Sequence, residues 1–213
     1  MHLKKNYHLC YNKIISIRRL KKYQMTTKAS LLLHICCAPC SPFAIELLQK
    51  DYDVTAFFYD PNIHPEEEYR FRLEEMKRFS NEISLPLVDV EYDVDRWFDK
   101  IEGHEMDKEK GERCNLCFDI RLDKTARFAK KNGFLFFATV LSTSPHKDAK
   151  MINKIGQILS KKHGIKFLEA DFKKRDGFKK SIFMSKKYDL KRQNYCGCIY
   201  SQKTTAEKHE INR

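Results

Sequence analysis

The sequence has no apolar stretch long enough to cross a bilayer. Its longest apolar runs, such as residues 134–140, cover about a third of the roughly 20 residues that a spanning helix needs. Residues 1–24 also lack the continuous apolar region and small-residue cleavage site of a secretory signal, and the chain has no internal repeat or low-complexity tract. These absences predict a soluble, cytoplasmic protein with no membrane partner.

Acidic residues are missing from the first 24 positions, which carry seven Lys or Arg. We interpret residues 1–24 as a basic extension that is either disordered or not native, since Met25 offers an alternative start. The remaining 34 basic and 29 acidic residues fit either a polyanionic partner such as RNA or a solvated lysine-rich surface. With 42% hydrophobic residues the chain can bury one core, so we predict a single α/β catalytic domain over 25–205 and a tail over 206–213.

Strand-like and helix-like patterns alternate along this domain. Apolar segments predict five strands, at residues 30–35, 54–59, 87–90, 134–140 and 166–169. Helical spacing predicts helices between them, opening at Pro42 and Pro65 and covering 114–131 and 148–162. The alternation predicts an α/β fold with a mainly parallel, Rossmann-like sheet and flanking helices, whose ligands bind at the carboxyl ends of the strands. Residues 171–200 have no clean period and are interpreted as a flap or lid.

Eight cysteines are too many to explain as disulfides in a reducing compartment, which leaves metal binding or thiol chemistry as their role. Cys36, Cys37 and Cys40, in HICCAPCS, lie where the first predicted strand gives way to a helix capped by Ser41. The start of a helix favours thiolate over thiol, so these cysteines are predicted to be reactive. The alternative, small buried apolar side chains, suits one cysteine better than three within five positions.

Cys114 and Cys117 form a second cluster, in GERCNLCFDIRL. Residues three apart on a helix share a face, so both sulfurs can reach one metal centre. Arg113 and Arg121 are placed to stabilise thiolate charge. Alone, this spacing is ambiguous among zinc, iron–sulfur and dithiol roles. Together with the first cluster it supplies enough sulfur for a four-thiolate site.

Cys196 and Cys198 are separated only by Gly197. Two cysteines this close form a strained disulfide, and strained disulfides tend to be labile or catalytic. The alternative is that they are two further metal ligands. Seven clustered cysteines exceed the four that a closed zinc site needs, so a 4Fe-4S cluster plus a separate redox dithiol is the preferred interpretation, with Cys40 as an alternate ligand or neighbour. Cys10 is treated as incidental.

Six segments together are similar to the cobalamin-independent epoxyqueuosine reductases. In order along the chain these segments are HICCAPCS, FYDPNIHPEEEYRFR, ERCNLCFDIRLDKTA, TVLSTSPHKD, ADFKK and RQNYCGCIYS. The similarity runs from about Leu31 to Ser201 at natural spacings, and is more specific than any one motif. Two features depart from the family pattern: the basic extension, and Asp60 where an asparagine is expected.

The resemblance implies a nucleotide alpha-hydrolase-like fold and an oxidoreductase that reduces the epoxide of epoxyqueuosine in the anticodon stem-loop of tRNA. It implies that the 4Fe-4S cluster is bound by four cysteines, Cys36, Cys37, Cys114 and Cys117. It places the redox-active pair on Cys196 and Cys198, and it suggests Asp171 as ligand of an additional mononuclear iron. The electron donor is not implied.

Removing an epoxide oxygen takes two electrons and protons. We expect iron to act as a Lewis acid on that oxygen, and His64, Tyr69 or Asp171 to donate protons because they flank the predicted strand ends. For His64, hydrogen bonding within its own turn is an equally good interpretation. Residues 142–147 either hold an RNA phosphate at a helix N-terminus or simply cap that helix.

Two other classes of protein use similar features. A zinc-stabilised RNA-binding module without catalysis would also need clustered cysteines. An ATP-dependent tRNA sulfur-transfer enzyme would share the α/β pattern, but it carries a glycine-rich loop after the first strand, where this chain has CCAPCS and no glycine. ATP use is therefore disfavoured. A thioredoxin-like enzyme would leave the cysteines beyond one dithiol unexplained.

Overall fold

The structure is a computed structural model that describes residues 28–202. Five strands form one parallel sheet: β1 (Ala29–His34), β2 (Tyr52–Phe58), β3 (Leu87–Asp89), β4 (Phe136–Thr139) and β5 (Lys166–Phe167). Their order across the sheet is β3-β2-β1-β4-β5. All five predicted strands are confirmed, with ends that differ by up to two residues. The parallel α/β prediction is therefore confirmed.

Six helices lie between or after the strands in the described residues. They are α1 (Pro42–Leu48), α2 (Glu66–Glu82), α3 (Val94–Ile101), α4 (Glu112–Lys131), α5 (Ala149–His163) and α6 (Gly177–Lys187). Gly164 ends α5 in the left-handed conformation, with φ 61°, as predicted for a helix C-terminal glycine. None of the described helices is long and apolar enough to span a membrane.

The core is built around β1, the central strand. Leu31, Leu32 and Leu33 are completely buried, because helices cover both faces of a parallel sheet. The strand order reverses between β1 and β4, which sit side by side while their chains continue to opposite edges. In sheets of this kind the crevice at such a reversal, beyond the carboxyl ends of the strands, is the usual ligand site.

Residues 171–200 differ from the predicted flap. Residues 177–187 of the segment form α6, which packs through buried Gly177, Ser181 and Ser185. Ser181 Oγ donates a hydrogen bond to the carbonyl of Pro39, so α6 is fixed beside the first cysteine cluster. The proposed extension over 1–24 and tail over 206–213 lie outside the described residues, and those boundaries stay predictions.

Candidate active site

A cavity of about 640 Å³ lies at the carboxyl edge of the sheet. Its walls come from the chain after β1, β2 and β4, from the start of α4 and from the segment after α6. Cysteines of all three clusters line it: Cys40, Cys114, Cys117, Cys196 and Cys198. The structure thus brings together three stretches of chain that are far apart in sequence.

Cys36 and Cys37 are buried and are not among the residues that line this cavity. Their Sγ atoms are 3.9 Å apart, and Gln193 Nε2 donates to Cys37 Sγ at 2.8 Å, which joins the first cluster to the segment carrying the third. The contact with Cys37 and burial hold the pKa of the Cys36 thiol well above its ordinary value. Within this cluster the pKa of Cys40 is lowered by its contact with Cys37, which is the direction that the predicted preference for thiolate requires.

The expected cap of the first helix is also different. A 3-10 turn, Ala38–Cys40, separates Cys37 from α1. Ser41 donates its hydroxyl to the carbonyl of Ala38 at 2.8 Å and makes no side-chain cap on α1. The turn is stabilised by Ser41, and it carries Cys40 into the cavity wall.

Cys114 and Cys117 lie on the first turns of α4, as predicted. The backbone N–H of Lys110 donates to Cys114 Sγ at 3.3 Å. Burial raises the pKa of Cys117 to about 12. Cys196 and Cys198 also raise the pKa of both thiols, so the second and third clusters are close enough to interact.

Cys196 and Cys198 are free thiols on either side of Gly197, whose φ is +126°. A Cβ at Gly197 would lie 3.1 Å from Ile63 Cγ1 and 3.2 Å from Arg72 Nη1, so only glycine fits without displacement. The Gly197 carbonyl accepts a hydrogen bond from the His64 N–H at 2.8 Å. The pair is thereby fixed against the loop after β2.

Arg121 and Lys147 interact with the charge of several cysteine sulfurs. Burial alone would lower the pKa of Arg121, but Cys117 and Asp60 hold it above its ordinary value. The pKa of Lys147 is likewise raised, against the effect of burial, by Cys196, Cys36 and Cys40. Arg121 Nη2 is buried without a hydrogen-bond partner, although Arg121 lines the cavity. A donor in this position is suited to an anionic group bound among the thiolates.

Both predicted arginines act on cysteine charge. Burial raises the pKa of the Cys114 thiol, and Arg113 acts in the opposite direction, as predicted. Arg113 Nη1 also donates to the carbonyls of Glu105 and Asp107, which folds the loop before α4, and its guanidinium lies 4.6 Å from the Tyr200 ring centre. Arg121 interacts with the charge of Cys117.

His64 and Asp171 are not among the residues that line the cavity. The His64 ring lies 5.0 Å from the Trp97 ring and 5.1 Å from that of Phe98, and burial lowers its pKa to about 4. The Asp171 carboxylate accepts from the Lys173 N–H, and Lys173 Nζ donates to the carbonyl of Lys147, a cavity residue. The catalytic role of His64 and the ligand role of Asp171 stay predictions.

The cap of α5 lies just after residues 142–147. Asp148 Oδ1 accepts from the N–H groups of Lys150 and Met151. Ser144 Oγ accepts from the His146 N–H, and Ser142 Oγ accepts from the Phe172 N–H, so neither hydroxyl caps α5. Lys147 lines the cavity, and a phosphate-binding role for this segment stays a prediction.

Sequence reasoning missed two buried groups beside the site. Arg72 contacts the carbonyl of Cys196, and Asp60 pairs with Arg121 and lies 3.5 Å from His34 Nε2. Arg72 and Asp60 both lie in the segment FYDPNIHPEEEYRFR. The signal that could have identified them is the presence of charged residues just after a predicted buried strand.

The described residues contain no group of three or more His, Cys, Asp or Glu side chains close enough to hold a single metal ion.

The chain is similar to proteins of one family. Residues 31–204 match the family model described as Epoxyqueuosine reductase QueH. Proteins of that name share 39% identity over 84% of this chain and 72% of the Streptococcus pyogenes protein, and 41% over 82% of this chain and 81% of the Acinetobacter baylyi protein. The Thermotoga maritima protein is 36% identical over 86% of this chain and 96% of its own length.

A solved structure shares the fold. The U34-tRNA thiolase NcsA from Methanococcus maripaludis, with its [4Fe-4S] cluster, aligns with a TM-score of 0.53 and 16% identity over 88% of this chain and 67% of that one. At this identity the likeness concerns the fold alone. The family model and the curated relatives cover most of the chain, so the protein belongs to the epoxyqueuosine reductase QueH family.

Proposed function

We propose that this protein reduces the epoxide of epoxyqueuosine to the alkene of queuosine in the anticodon stem-loop of a tRNA. The proposal rests on one observation beyond family membership: cysteines from three separate stretches meet at one cavity beside the β1–β4 reversal. The reaction consumes two electrons and two protons and releases the epoxide oxygen as water.

The cysteine set divides into a cluster site and a redox pair. We propose that Cys36, Cys37, Cys114 and Cys117 bind a 4Fe-4S cluster, which when bound supplies single-electron transfer. Arg121 and Lys147 would offset the negative charge that four thiolates and their cluster bring into a buried site. The unpartnered Nη2 of Arg121 supports this assignment, because it can donate to a sulfur of the bound group.

Cys196 and Cys198 would supply the electron pair. Their oxidation to a disulfide releases two electrons and two protons, which balances the reduction of the epoxide. An external reductant must then return the disulfide to the dithiol. The positive φ at Gly197 allows the tight turn that joins the two thiols.

His64 and Asp171 have narrower roles in this proposal. At neutral pH His64 is unprotonated and packs between aromatic rings, so it would orient the loop after β2 and accept rather than donate a proton. Asp171 would reach an additional mononuclear iron only if Lys173 gave up its contact with the carboxylate, which is 3.7 Å from Lys173 Nζ.

The substrate would enter over a basic rim. Lys110, His146, Lys147 and Arg192 all line the cavity, and cations placed around a site attract the phosphates of RNA. Phe118, Phe178 and Tyr195 supply ring surfaces in the same walls, and RNA-binding proteins commonly stack unpaired bases on aromatic rings. A tRNA substrate also fits a cytoplasmic protein.

Sulfur transfer with ATP is disfavoured by the loop after β1. That loop holds Cys36, Cys37 and a 3-10 turn that contains Pro39 and no glycine. A phosphate cradle needs successive backbone N–H groups turned toward the ligand, which glycine-rich loops provide. Here Pro39 has no N–H, and the Ser41 N–H donates to the carbonyl of Ala38.

Mass spectrometry of tRNA nucleosides tests the proposed reaction. Cells that lack this protein should accumulate epoxyqueuosine, and a plasmid copy should restore queuosine. Normal queuosine in the deleted strain would reject the proposal. Anaerobically purified protein should be brown and contain iron, whereas a colourless protein with only zinc would favour the RNA-binding module.

A further inference from the structure

We infer that Arg72 is a positioning residue that holds the Cys196–Cys198 pair in its dithiol form. The inference deepens the proposed function and rests on the redox role that it gives to this pair. It is carried by the way the segment after α6 is attached to α2. We call residues 188–198 the cysteine strap.

The cysteine strap is held to α2 through its backbone. Arg78 Nη2 donates to the carbonyls of Tyr188 and Asp189, both at 3.0 Å. Glu75 Oε1 accepts from the Lys191 N–H at 2.6 Å. Arg72, Glu75 and Arg78 recur at spacings of three along α2, so they form one stripe that follows the cysteine strap.

Arg72 is the last contact of this stripe and the one nearest the thiols. Its Nη1 donates to the Cys196 carbonyl at 3.2 Å, and its guanidinium carbon lies 5.2 Å from the Tyr195 ring centre. Glu68 Oε1 accepts from Arg72 Nε at 2.7 Å and fixes the orientation of the guanidinium. Because Arg72 is only 2% exposed, it has little freedom to move away from the strap.

These contacts favour the reduced pair. Two contacts fix the peptide groups between Cys196 and Cys198: Arg72 Nη1 donates to the Cys196 carbonyl at 3.2 Å, and the His64 N–H donates to the Gly197 carbonyl at 2.8 Å. A disulfide across one residue closes a small ring, so its geometry constrains both of these peptide groups. Contacts that hold the two peptide groups in the arrangement without this ring therefore stabilise the dithiol relative to the disulfide.

The fork of the guanidinium matters as well as its charge. Arg72 Nε donates to Glu68 while Nη1 donates to the strap, whereas lysine has one nitrogen and lacks this planar arrangement of donors. We therefore expect Arg72→Lys to behave like Arg72→Met. Glu68→Gln, which loosens the guanidinium without removing it, should act in the same direction with a smaller effect.

The test measures the dithiol–disulfide equilibrium directly. Iron-loaded wild type and variants are equilibrated anaerobically in buffers of glutathione and glutathione disulfide, which takes up the two electrons and two protons. Samples are quenched in acid and alkylated, and the peptide carrying Cys196 and Cys198 is quantified by mass spectrometry. Arg78→Met is the matched control, because Arg78 makes the same kind of contact at the distant end of the strap.

We expect Arg72→Met and Arg72→Lys to shift the equilibrium about tenfold toward the disulfide, which is about 30 mV for a two-electron couple. Arg78→Met should shift it less than twofold. Equal shifts in the Arg72 and Arg78 variants, or rescue by lysine, would overturn the positioning role while leaving the proposed function intact. If the wild-type pair forms no disulfide at any ratio of glutathione to glutathione disulfide, both the positioning role of Arg72 and the proposed redox role of the pair are overturned. If Arg72→Met does not fold, the shift of the dithiol–disulfide equilibrium in Glu68→Gln is compared with that in Arg78→Met instead. An equal shift in these two variants would overturn the positioning role.

Discussion

Arg121 donates from Nη1 to Asp60 Oδ1 at 3.0 Å, and both side chains are almost completely shielded from solvent. The pair joins α4, which carries two predicted cluster ligands, to the end of β2. Arg121 also donates from Nε to the Cys117 carbonyl at 3.0 Å, so one guanidinium fixes both the ligand-bearing turn and the buried carboxylate. This makes the Arg121–Asp60 pair a structural support of the site.

Replacing Arg121 by Met should lower the free energy of unfolding by about 3–5 kcal/mol. The reason is that the Asp60 carboxylate would remain buried without its charged partner. Urea unfolding at pH 7 measures the effect. The double variant Arg121→Met, Asp60→Leu should recover part of the loss, since it removes the orphaned charge.

An exposed pair that joins α3 to α4 gives the control. Lys100 and Asp119 are 2.9 Å apart but more than a third exposed, so Lys100→Met should cost less than about 1 kcal/mol. A similar loss in the Lys100 and Arg121 variants would contradict a special role for the buried pair.

Cys114→Ser and Cys196→Ser should fail in different ways. Cys114→Ser removes a proposed cluster ligand, so we expect the protein to lose its iron and its brown colour as well as its activity. Cys196→Ser removes only a member of the redox pair, so the colour should stay while turnover stops. Absorbance, iron content and an assay for queuosine formation measure all three properties.

Cys10→Ser is the matched control for these two variants, because Cys10 belongs to none of the three clusters. It should keep colour and activity. Loss of the cluster in Cys196→Ser would instead assign Cys196 as a ligand, and retention of full iron in Cys114→Ser would remove Cys114 from the ligand set.

The sheet was predictable from the sequence because its strands are buried on both faces. Residues 31–33 are three consecutive leucines, and such continuous apolar runs are typical of parallel strands. The meeting of the cysteine clusters followed from the same rule, since the first cluster comes directly after β1.

The helix α6 was missed because its buried face is not apolar. Gly177, Ser181 and Ser185 recur at spacings of four and are all buried, so hydrophobic periodicity is absent. A Cβ at Gly177 would lie 1.8 Å from the Phe172 carbonyl oxygen, which shows how closely this helix approaches its neighbours.

The role of Arg72 was not predictable for a different reason. Its partners on the strap are backbone carbonyls more than 120 positions away. Every residue has a backbone carbonyl, so the sequence does not show which of them a side chain contacts. The buried Arg121–Asp60 pair is similarly a long-range contact, between residues 61 positions apart. Contacts of this kind appear only once the fold is known.

His64 should make stability depend on pH in a defined window. Burial lowers its pKa to about 4, against about 6.5 in the unfolded chain. Between these values the unfolded chain binds a proton that the folded chain does not, so this contribution is fully present above about pH 6.5 and decreases as the pH falls toward 4. The expected slope from this one group is at most roughly 1.4 kcal/mol per pH unit.

The variant His64→Phe should remove this part of the slope. Phenylalanine preserves the ring contacts with Trp97 and Phe98 but binds no proton. Urea unfolding of wild type and variant at pH 7.5, 6, 5 and 4.5 gives the comparison, and changes shared by both proteins cancel. Parallel curves for the two proteins would show that His64 does not titrate as its burial requires.

Binding of tRNA should depend on salt through the cavity rim. Lys110→Asn and Arg192→Gln each remove one cation that lines the cavity, so each should weaken tRNA binding and reduce the slope of log affinity against log salt by about 1. Asparagine is chosen at position 110 because the φ there is 70°, which asparagine tolerates.

Lys28→Asn is the control, since Lys28 precedes β1 at the opposite, amino edge of the sheet. Fluorescence anisotropy with labelled tRNA gives the slopes. The salt concentration is varied from about 50 to about 200 mM, because affinities that depend on phosphate contacts fall steeply over this range. An equal loss of slope in the Lys28 variant would mean that tRNA is attracted by the overall charge of the protein, and that the rim of the cavity is not its docking surface.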